Sequence, residues 1–485
     1  MRSHILILLL GVSSTVAAQT GGDPPFKVGD IAVSGSLRTR GEIWDWFEGS
    51  ANSRYNFSGS MLRLGLSQTS KTLDWQLEFA LPFLLGLPDD AIAAGTQGQF
   101  GMGASYFAAN DRNTNAALPF PKQGYLRFKG LGGHAGQSLK LGRTEFIDGT
   151  EVLPKDATLA ALKRDRIEHR LLGNFAFTHV GRSFDGAVYS VAGSRLNFTL
   201  LGARPTRGVF QVDGWGELNI NVFYGAMTGQ VGGAHGAGEW RIFGLGYSDL
   251  RDGVLKTDAR PQAARRADTE HINLGTYGGH YIHAWSTKAG AADFLFWGVL
   301  QNGSWGVLKQ RAYAFAAEAG WQPPAPGALK PWLRGGYDYG SGDKNPNDTT
   351  NGTFFQVLPT PRVYARFPFF NMMNTRDAFG ELILRPAKSL SIRTDVHSLR
   401  LASSSDLWYS GGGAYQPWTF GYTGRASGGQ SGLATLYDVG ADYTYNRHFS
   451  GGAYFGHAAG KLVMQSIYPN GKNANFGYLE LTIRM

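Results

Sequence analysis

The sequence predicts an all-β protein: an antiparallel transmembrane β-barrel of eighteen strands, with short periplasmic turns and long extracellular loops. The last segment, residues 475–485, alternates apolar Leu479, Leu481 and Ile483 with polar residues. A period of two is typical of a strand with one apolar and one polar face. The same alternation recurs along the chain, and the connections between the segments are alternately short and long, which is the pattern of outer-membrane barrels.

The N-terminal segment has the features of a secretory signal peptide. Arg2 supplies the basic start, residues 5–12 form an apolar core, and small residues at 16–18 form a cleavage site. We therefore expect residues 1–18 to be removed and residues 19–485 to form a single barrel domain. The expected destination is the bacterial outer membrane.

Composition limits the classes of protein that remain. The chain has no cysteine, which excludes disulfides and thiolate metal sites. Its most apolar mature stretch, residues 73–87, is interrupted by Asp74, Glu78 and Pro82, so a membrane protein of this sequence must cross with strands. The 68 glycines and 13% aromatic residues suit curved strands and interfacial girdles. The formal net charge of +9 favours anionic partners, and nucleic acid is not expected for a secreted strand protein.

Eighteen alternating segments of about ten residues are long enough to cross a bilayer. They are 31–44, 58–69, 72–82, 122–130, 137–147, 174–190, 194–204, 215–228, 238–249, 270–286, 291–301, 309–322, 330–341, 376–386, 388–400, 433–446, 448–459 and 475–485. Connections at 83–121, 148–173, 302–308 and 342–375 fall on the long side, and this parity places both termini in the periplasm. A soluble β-helix or sandwich would leave the alternation of loop lengths unexplained.

Polar positions of the predicted strands should face the lumen, and many of them are basic. The inward cations are Arg38, Arg40, Arg63, Arg127, Lys129, Lys140, Arg334 and Arg393, with Arg143 near a rim. Guanidinium groups pair with carboxylates through a planar fork, so a row of them offers a polyanion successive weak sites. Acidic residues share the same face, and the alternative is a structural charge lattice of the kind found in general porins.

Residues 154–172 depart from strand alternation. Leu159, Leu162 and Ile167 have helical spacing, and Asp156 is a candidate N-cap. Arg164 and Arg166 make this segment basic. We expect a short helix that either folds into the lumen and narrows it or lies on the loop surface.

Several motifs resemble the alginate-export family of outer-membrane barrels and its porin-like relatives. They are Gly35-Ser36-Leu37-Arg38-Thr39-Arg40, Leu141-Gly142-Arg143, Phe177-Thr178-His179-Val180-Gly181-Arg182, residues 154–170 and the run from Phe355 to Arg362. The resemblance covers essentially the whole mature chain. It implies an eighteen-stranded monomeric barrel with an arginine-rich pore, through which an anionic uronate polymer leaves the periplasm.

Signals for catalysis and metal binding are weak. Asp343, Asn345 and Asn347 have the opening spacing of a calcium loop, but the later ligand positions do not fit, so a solvated turn is the default. No Gly-x-Ser-x-Gly is present, and His280 and His283 should lie on opposite faces of a strand. We predict no enzyme activity, no cofactor and no metal site.

The sequence thus predicts a passive outer-membrane channel for an anionic, uronate-type polysaccharide, with alginate-like export as the direction of transport. The alternative is a general or anion-selective porin that admits small solutes. Expected partners are outer-membrane lipid and lipopolysaccharide, the anionic polysaccharide or small anionic solutes, and periplasmic export proteins. We expect the barrel to be a monomer.

Overall fold

The computed structural model describes residues 26–233, 236–324 and 329–485, so the predicted signal peptide at 1–18 lies outside the described residues. Eighteen strands, labelled β1 to β18, form a barrel. Their bounds are Ile31–Asp45, Arg54–Thr69, Leu73–Leu85, Phe120–Lys129, Gln137–Thr144, Phe184–Ala192, Leu196–Pro205, Ile220–Gly233, Gly236–Asp249, Ile272–Thr287, Gly290–Trp305, Leu308–Gln322, Trp332–Gly340, Thr375–Ala387, Leu390–Leu401, Gly432–Thr444, Phe449–Gly460 and Asn473–Arg484.

The sheet is closed by its first and last strands. β1 pairs antiparallel with β18 from Ser36 opposite Arg484 to Asp45 opposite Asn475. Every other barrel strand pairs antiparallel with its neighbours in the chain. Closure leaves no unpaired sheet edge, which is what a β-protein needs in lipid. The predicted eighteen-stranded antiparallel barrel is therefore confirmed.

The two faces of the barrel differ in burial. In β11, Leu295 and Trp297 are fully buried. Phe296, which lies between them, is 46% exposed, and Leu300, further along the strand, is 68% exposed. The buried side chains of each strand face the lumen and include the barrel's polar residues, such as Gln301 on the same strand. The exposed side chains that alternate with them are apolar, as required of a surface that contacts lipid.

Connections alternate in length around the barrel. The short-turn end includes 70–72, 193–195, 288–289, 388–389 and 445–448, and the long-loop end includes 86–119, 145–183, 250–271, 341–374 and 402–431. Several predicted boundaries are wrong, and two of them concern connections. The connection expected at 302–308 is only the turn 306–307, because β11 and β12 pair as far as Trp305 and Leu308. The sixth strand begins at Phe184 and not at residue 174, since the preceding residues turn into the barrel interior.

Four α-helices lie in the described connections: α1 at Gly101–Ala109, α2 at Ala157–Arg166, α3 at Gln262–Ala267 and α4 at Leu462–Ile467. In the described part of the chain, no helix has the length and apolar character to cross a membrane. α1 begins at Gly101 with φ +79, where a Cβ would lie 2.5 Å from the Tyr55 hydroxyl. Glycine is therefore required where this loop packs onto the strands. The loop 402–431 contains a separate hairpin of Leu407–Ser410 and Thr423–Ala426.

The core lies inside the barrel and is built from two long connections that fold inward. We call residues 145–183 the first inner segment and residues 354–373 the second inner segment. They meet at Leu172 and Leu358, where the Leu358 N–H donates to the Leu171 carbonyl at 2.8 Å. Phe355, Leu358 and Tyr364 are completely buried. The lumen is thus filled over part of its length by the chain's own loops.

Candidate functional site

The first inner segment crosses the barrel from the long-loop end towards the short-turn end. The Asp156 carboxylate caps α2 by accepting from the Leu159 N–H at 2.9 Å, as the sequence predicted. Thr158 accepts a hydrogen bond from Gln322, which is the last residue of β12 at the short-turn end. α2 packs against β9 and β10. Of the two positions predicted for this helix, the lumenal one is observed.

Basic side chains of this segment are fixed by carboxylates on the barrel wall. Lys163 lies 2.6 Å from Glu239, and Arg166 lies 2.8 Å from Glu318. Arg170, which follows the helix, contacts Asp338 at 2.9 Å and Glu318 at 3.2 Å. All three cations are buried. This group, with its carboxylates, anchors the segment, because burial of an unpaired charge would be strongly unfavourable.

Arg164 differs from its neighbours in the helix. Its guanidinium forms a bidentate contact with the adjacent Asp165 carboxylate, at 2.7 and 2.8 Å. The side chain is 27% exposed, so it reaches the remaining lumenal space. Asp165 already neutralises most of its field, which weakens Arg164 as a binding site for a passing anion.

The two cations of β1 are also held by partners. Arg40 lies 2.7 Å from Glu480 and is held between the rings of Phe177 and Tyr478, each 4.4 Å away. Arg38 donates to the carbonyls of Ala176 and Thr178 in the first inner segment. These contacts connect the barrel wall to the loop that fills it.

Arg63 sits at the centre of a second small network. It contacts Glu78 at 2.5 Å and Glu145 at 2.7 Å, and Lys122 lies 3.6 Å from the same Glu145. Lys122 is buried and was not among the predicted lumenal cations. Its position on β4 has the parity of the exposed Leu126, and a β-bulge at Lys122 turns the side chain inward, so parity alone could not have identified it.

Arg334 and Arg393 complete the paired cations on the opposite wall. Arg334 bonds Asp293 and lies 3.0 Å from Glu318. Arg393 lies 2.7 Å from Glu381 and 2.8 Å from Asp395. The structure therefore brings these predicted residues into the lumen as members of a charge lattice and not as free anion sites.

Arg143 does not face the lumen. It has the same strand parity as Leu141, which is 42% exposed on the outer face. Its guanidinium contacts Asp185 at 2.6 Å and the carbonyls of Gly214 and Trp215 in a loop at the long-loop rim. The predicted position near a rim is observed, but on the outside, so Arg143 is poorly placed to line the pore.

Basic residues at the short-turn end are less tightly paired. Arg127 is 45% exposed and lies 4.0 Å from the Asp74 carboxylate. Lys129 lies closer to the same carboxylate, at 2.6 Å. Lys140 faces inward opposite Arg127 and lies 4.5 Å from the Tyr125 ring centre. Two further inward cations were missed by the sequence reasoning: Arg385, over the Trp332 ring, and Arg484, which donates to Ser450.

We call Arg127, Lys140, Arg385 and Arg484 the mouth cations. Each lies within three residues of the short-turn end of its strand. Within the described residues, the only carboxylate as close as 4.0 Å to any of them is Asp74, beside Arg127. They are therefore the lumenal cations best placed to meet an anion that arrives at this end.

Burial shifts the pKa of several groups in the first inner segment. It raises the pKa of Asp148 to about 6 and that of Glu168 to about 7. It lowers the pKa of His169 and of His179 to about 4, so both imidazoles are neutral at pH 7. His169 Nδ1 lies 3.1 Å from the Thr360 hydroxyl and thereby joins the two inner segments.

The candidate calcium turn is accounted for by its own hydrogen bonds. The Asp343 carboxylate accepts from the Asn345 N–H, and the Asn345 side chain accepts from the Asn347 N–H. These are consecutive Asx turns, which agrees with the turn expected by default.

His280 is buried against Glu239 at 3.1 Å, whereas His283 is partly exposed beside Tyr281, so they occupy opposite faces.

A closed eighteen-stranded barrel with an apolar outer surface and loops folded into its lumen is the architecture of bacterial outer-membrane channels. The comparison with protein families agrees with this class. The chain belongs to the alginate export family, whose sequence description matches residues 90–459. This family is one of export channels and not of enzymes. No curated protein sequence matches the chain.

Solved structures share the fold at low sequence identity. OccK9 (OpdG) of Pseudomonas aeruginosa is 11% identical with a TM-score of 0.58, and the match covers 94% of this chain and 99% of that one. OccAB2 of Acinetobacter baumannii is 9% identical with a TM-score of 0.57, covering 94% and 98%. OpdK of Pseudomonas aeruginosa, solved with vanillate, is 8% identical with a TM-score of 0.54, covering 93% and 98%.

Proposed function

We propose that this outer-membrane channel passes an anionic, uronate-type polysaccharide from the periplasm to the outside. The observation that carries the proposal is the set of mouth cations at the short-turn end, the end that faces the periplasm in outer-membrane barrels. A polyanion that arrives there meets positive charge on β4, β5, β14 and β18. Membership of the alginate export family supports the same substrate class.

Separate, partly solvated cations suit transport better than one tight site. Arg127 is 45% exposed, and the other mouth cations belong to different strands. Each contact with a uronate carboxylate is then weak and easily exchanged, so the chain can advance from one cation to the next. The buried pairs of Arg166, Arg170 and Arg334 hold the inner segments that shape the path.

A second candidate function is uptake of small anionic solutes. The observation that favours it is the filling of the lumen by the two inner segments, since a narrow passage suits a small solute better than a polymer. In that case Arg127 and Lys140 would still set the preference for anions. The two candidates differ in the size of anion that occupies the channel.

Planar-bilayer recording distinguishes the candidates. We expect a reversal potential that favours anions in a salt gradient, and a current that oligouronates block more strongly as their length increases. Block by monouronates alone would favour small-solute uptake. A channel without anion preference and without block would contradict both.

The double variant Arg127→Glu/Lys140→Glu tests the mouth directly. It should abolish uronate block and reverse the ion preference, because two cations at the mouth become anions. Arg311→Glu is the matched control, since Arg311 is exposed on the outer face near the long-loop end. If the control alters block as much as the double variant does, the mouth cations do not form the anion path.

We propose that residues 1–18 are a cleavable signal peptide that directs the chain to the periplasm. We also propose that the barrel acts as a monomer in outer-membrane lipid and lipopolysaccharide and receives the polysaccharide from periplasmic export proteins. N-terminal sequencing of the membrane-inserted protein tests the first of these, with a start at Gln19 as the expected result.

A further inference from the structure

A cluster of carboxylates lies side by side on the lumenal face of β14, β15 and β16. Asp395 on β15 is directly opposite Glu381 on β14 and Asp438 on β16. His397 follows Asp395 by two residues and so shares its face. Asp395, His397 and Asp438 are all at least 95% buried.

Asp395, His397 and Asp438 bring candidate ligand atoms close together. Asp395, His397 and Asp438 each offer one ligand atom, and the three atoms lie within 4.8 Å of one another. Ligands that surround a tetrahedral ion at about 2.0–2.2 Å are separated by about 3.4 Å. Small side-chain rotations are therefore sufficient to bring the three atoms onto a common ion.

Each of the three residues keeps a polar atom without a hydrogen-bond partner: Asp395 Oδ1, His397 Nε2 and Asp438 Oδ2. Their other polar atoms are engaged. Arg393 donates to Asp395 Oδ2 at 2.8 Å, and the Tyr454 hydroxyl donates to Asp438 Oδ1 at 2.7 Å. Buried polar atoms are normally satisfied, so three open ones in one cluster point to a missing partner.

His397 is oriented as a metal-binding histidine would be. Its Nδ1 lies 2.6 Å from Asp377 Oδ2, and its ring stacks on Phe379 at 5.5 Å between centroids. These contacts fix the ring and leave Nε2 as the open nitrogen. A carboxylate behind a ligating imidazole holds the tautomer and increases the basicity of the metal-binding nitrogen.

The local charge also favours a cation. Four carboxylates, those of Asp377, Glu381, Asp395 and Asp438, gather in this part of the lumen. Arg393 pairs with Glu381 and Asp395. Arg334 is 3.8 Å from Glu381, but it also bonds Asp293 and Glu318. The guanidinium groups that pair with this cluster therefore leave Asp377 and Asp438 without a cationic partner among the described residues, apart from the imidazole of His397.

We propose that Asp395, His397 and Asp438 bind a divalent transition-metal ion of the zinc or manganese type inside the barrel. One imidazole nitrogen and two carboxylate oxygens suit these ions. Calcium prefers six to eight oxygen ligands and fits this set poorly. The bound ion would join β15 to β16 and neutralise part of the acidic cluster.

Metal content of the full-length protein, refolded in detergent, tests the proposal. The protein is dialysed against Zn²⁺, Mn²⁺ or Ca²⁺ in separate samples, and bound metal per chain is measured by mass spectrometry. We expect one equivalent of Zn²⁺ or Mn²⁺ and none of Ca²⁺. Visible absorption after loading with Co²⁺ reports the coordination geometry, and we expect the intense bands of a tetrahedral ion.

Asp438→Asn removes one charged ligand while preserving side-chain shape, and it should weaken Zn²⁺ binding at least tenfold. Asp377→Asn, behind His397, should weaken it by about 10–100-fold. His280→Gln is the matched control, because His280 is also buried against a carboxylate, Glu239, but lies beside Arg241 and Lys163. Circular dichroism confirms that each variant is folded.

Absence of bound Zn²⁺ and Mn²⁺ from the wild-type protein would overturn the proposal and leave His397 as a histidine ion-paired with Asp377. Zn²⁺ binding that survives Asp438→Asn unchanged would also overturn it, since the ion would then lie elsewhere. Equal binding of Ca²⁺ would contradict the assigned ligand set.

Discussion

Glu318 is the residue on which the buried ion pairs of the lumen depend most. Its carboxylate accepts from Arg166, Arg170 and Arg334, which belong to the first inner segment and to β13. Because all of these groups are removed from solvent, the pairs resist salt and hold the inner segment against the wall.

Glu318→Gln should therefore destabilise the barrel. It removes the carboxylate charge that three buried guanidinium groups share and leaves Asp338 and Asp293 as their remaining partners. We expect a loss of about 3 kcal/mol in the free energy of unfolding. Urea titration of the protein in lipid vesicles measures this value. Glu217→Gln is the control, since its pair with Arg204 is over 40% exposed on both sides and should change stability by less than about 1 kcal/mol. Equal effects would show that the lumenal pairs are not structural.

His169 makes the stability of the filled lumen dependent on pH. Its pKa in the fold is about 4, below the value of about 6.5 in an unfolded chain, so the unfolded state takes up the proton first on acidification. Stability is lost as pH falls from about 6.5 to 4. His169→Gln should reduce that loss by up to about 3 kcal/mol.

Urea titrations at pH 7 and pH 4 measure the difference between the wild-type protein and this variant. Glu168→Gln should shift the pH dependence of stability in the opposite direction. The folded pKa of Glu168 is raised to about 7, so its contribution to stability is present at low pH and lost as pH rises from about 4.5 to 7. If both variants shift the pH dependence in the same direction, the assignments are wrong.

At the scale of elements, α2 controls how much of the lumen is open. Replacing residues 157–166 with a glycine-serine sequence of equal length should increase single-channel conductance, because it removes the contacts of Lys163 with Glu239 and of Arg166 with Glu318. α3 is the matched control, since none of its residues is buried. Its replacement should leave conductance unchanged. An unchanged conductance after α2 replacement would show that the helix does not constrict the channel.

The strands could be predicted from the sequence, whereas the inner segments could not. Alternation identifies a strand locally, so Leu479 and Leu481 were assigned to the outer face without knowledge of their neighbours. The pairing of Lys163 with Glu239 depends on how a loop folds back, and no local period encodes it. The run from Phe177 to Arg182 shows the difference, since it was predicted to be strand but turns inside the barrel.

The same limit applies to the prediction of the residues that line the pore. Parity correctly placed Arg40, Arg63 and Arg334 in the lumen, but parity does not report partners. Each of them forms ion pairs with carboxylates from other strands or loops. Arg385 lies beside a register irregularity between Leu384 and Ala387, which local alternation does not reveal. Arg484 shares the alternation of the last segment and could have been identified from it.

For the whole molecule, selectivity should depend on ionic strength. The mouth cations are partly solvated, and the screening length falls from about 10 Å at 0.1 M salt to about 3 Å at 1 M. The anion preference in reversal-potential measurements should therefore be largest at 0.1 M and nearly absent at 1 M. Arg311→Glu should follow the wild-type curve. A preference that is independent of salt would place selectivity in the buried lattice and not at the mouth.

The pairing of β1 with β18 determines the order in which the protein can be completed. Arg40 and Glu480, 440 residues apart, meet across this seam. Until β18 pairs with it, β1 remains an open edge that can pair with other chains. A nascent chain that stops before residue 473 would lack the sealing strand, however well its other seventeen strands pair. Closure of this barrel therefore rests on its final twelve-residue strand.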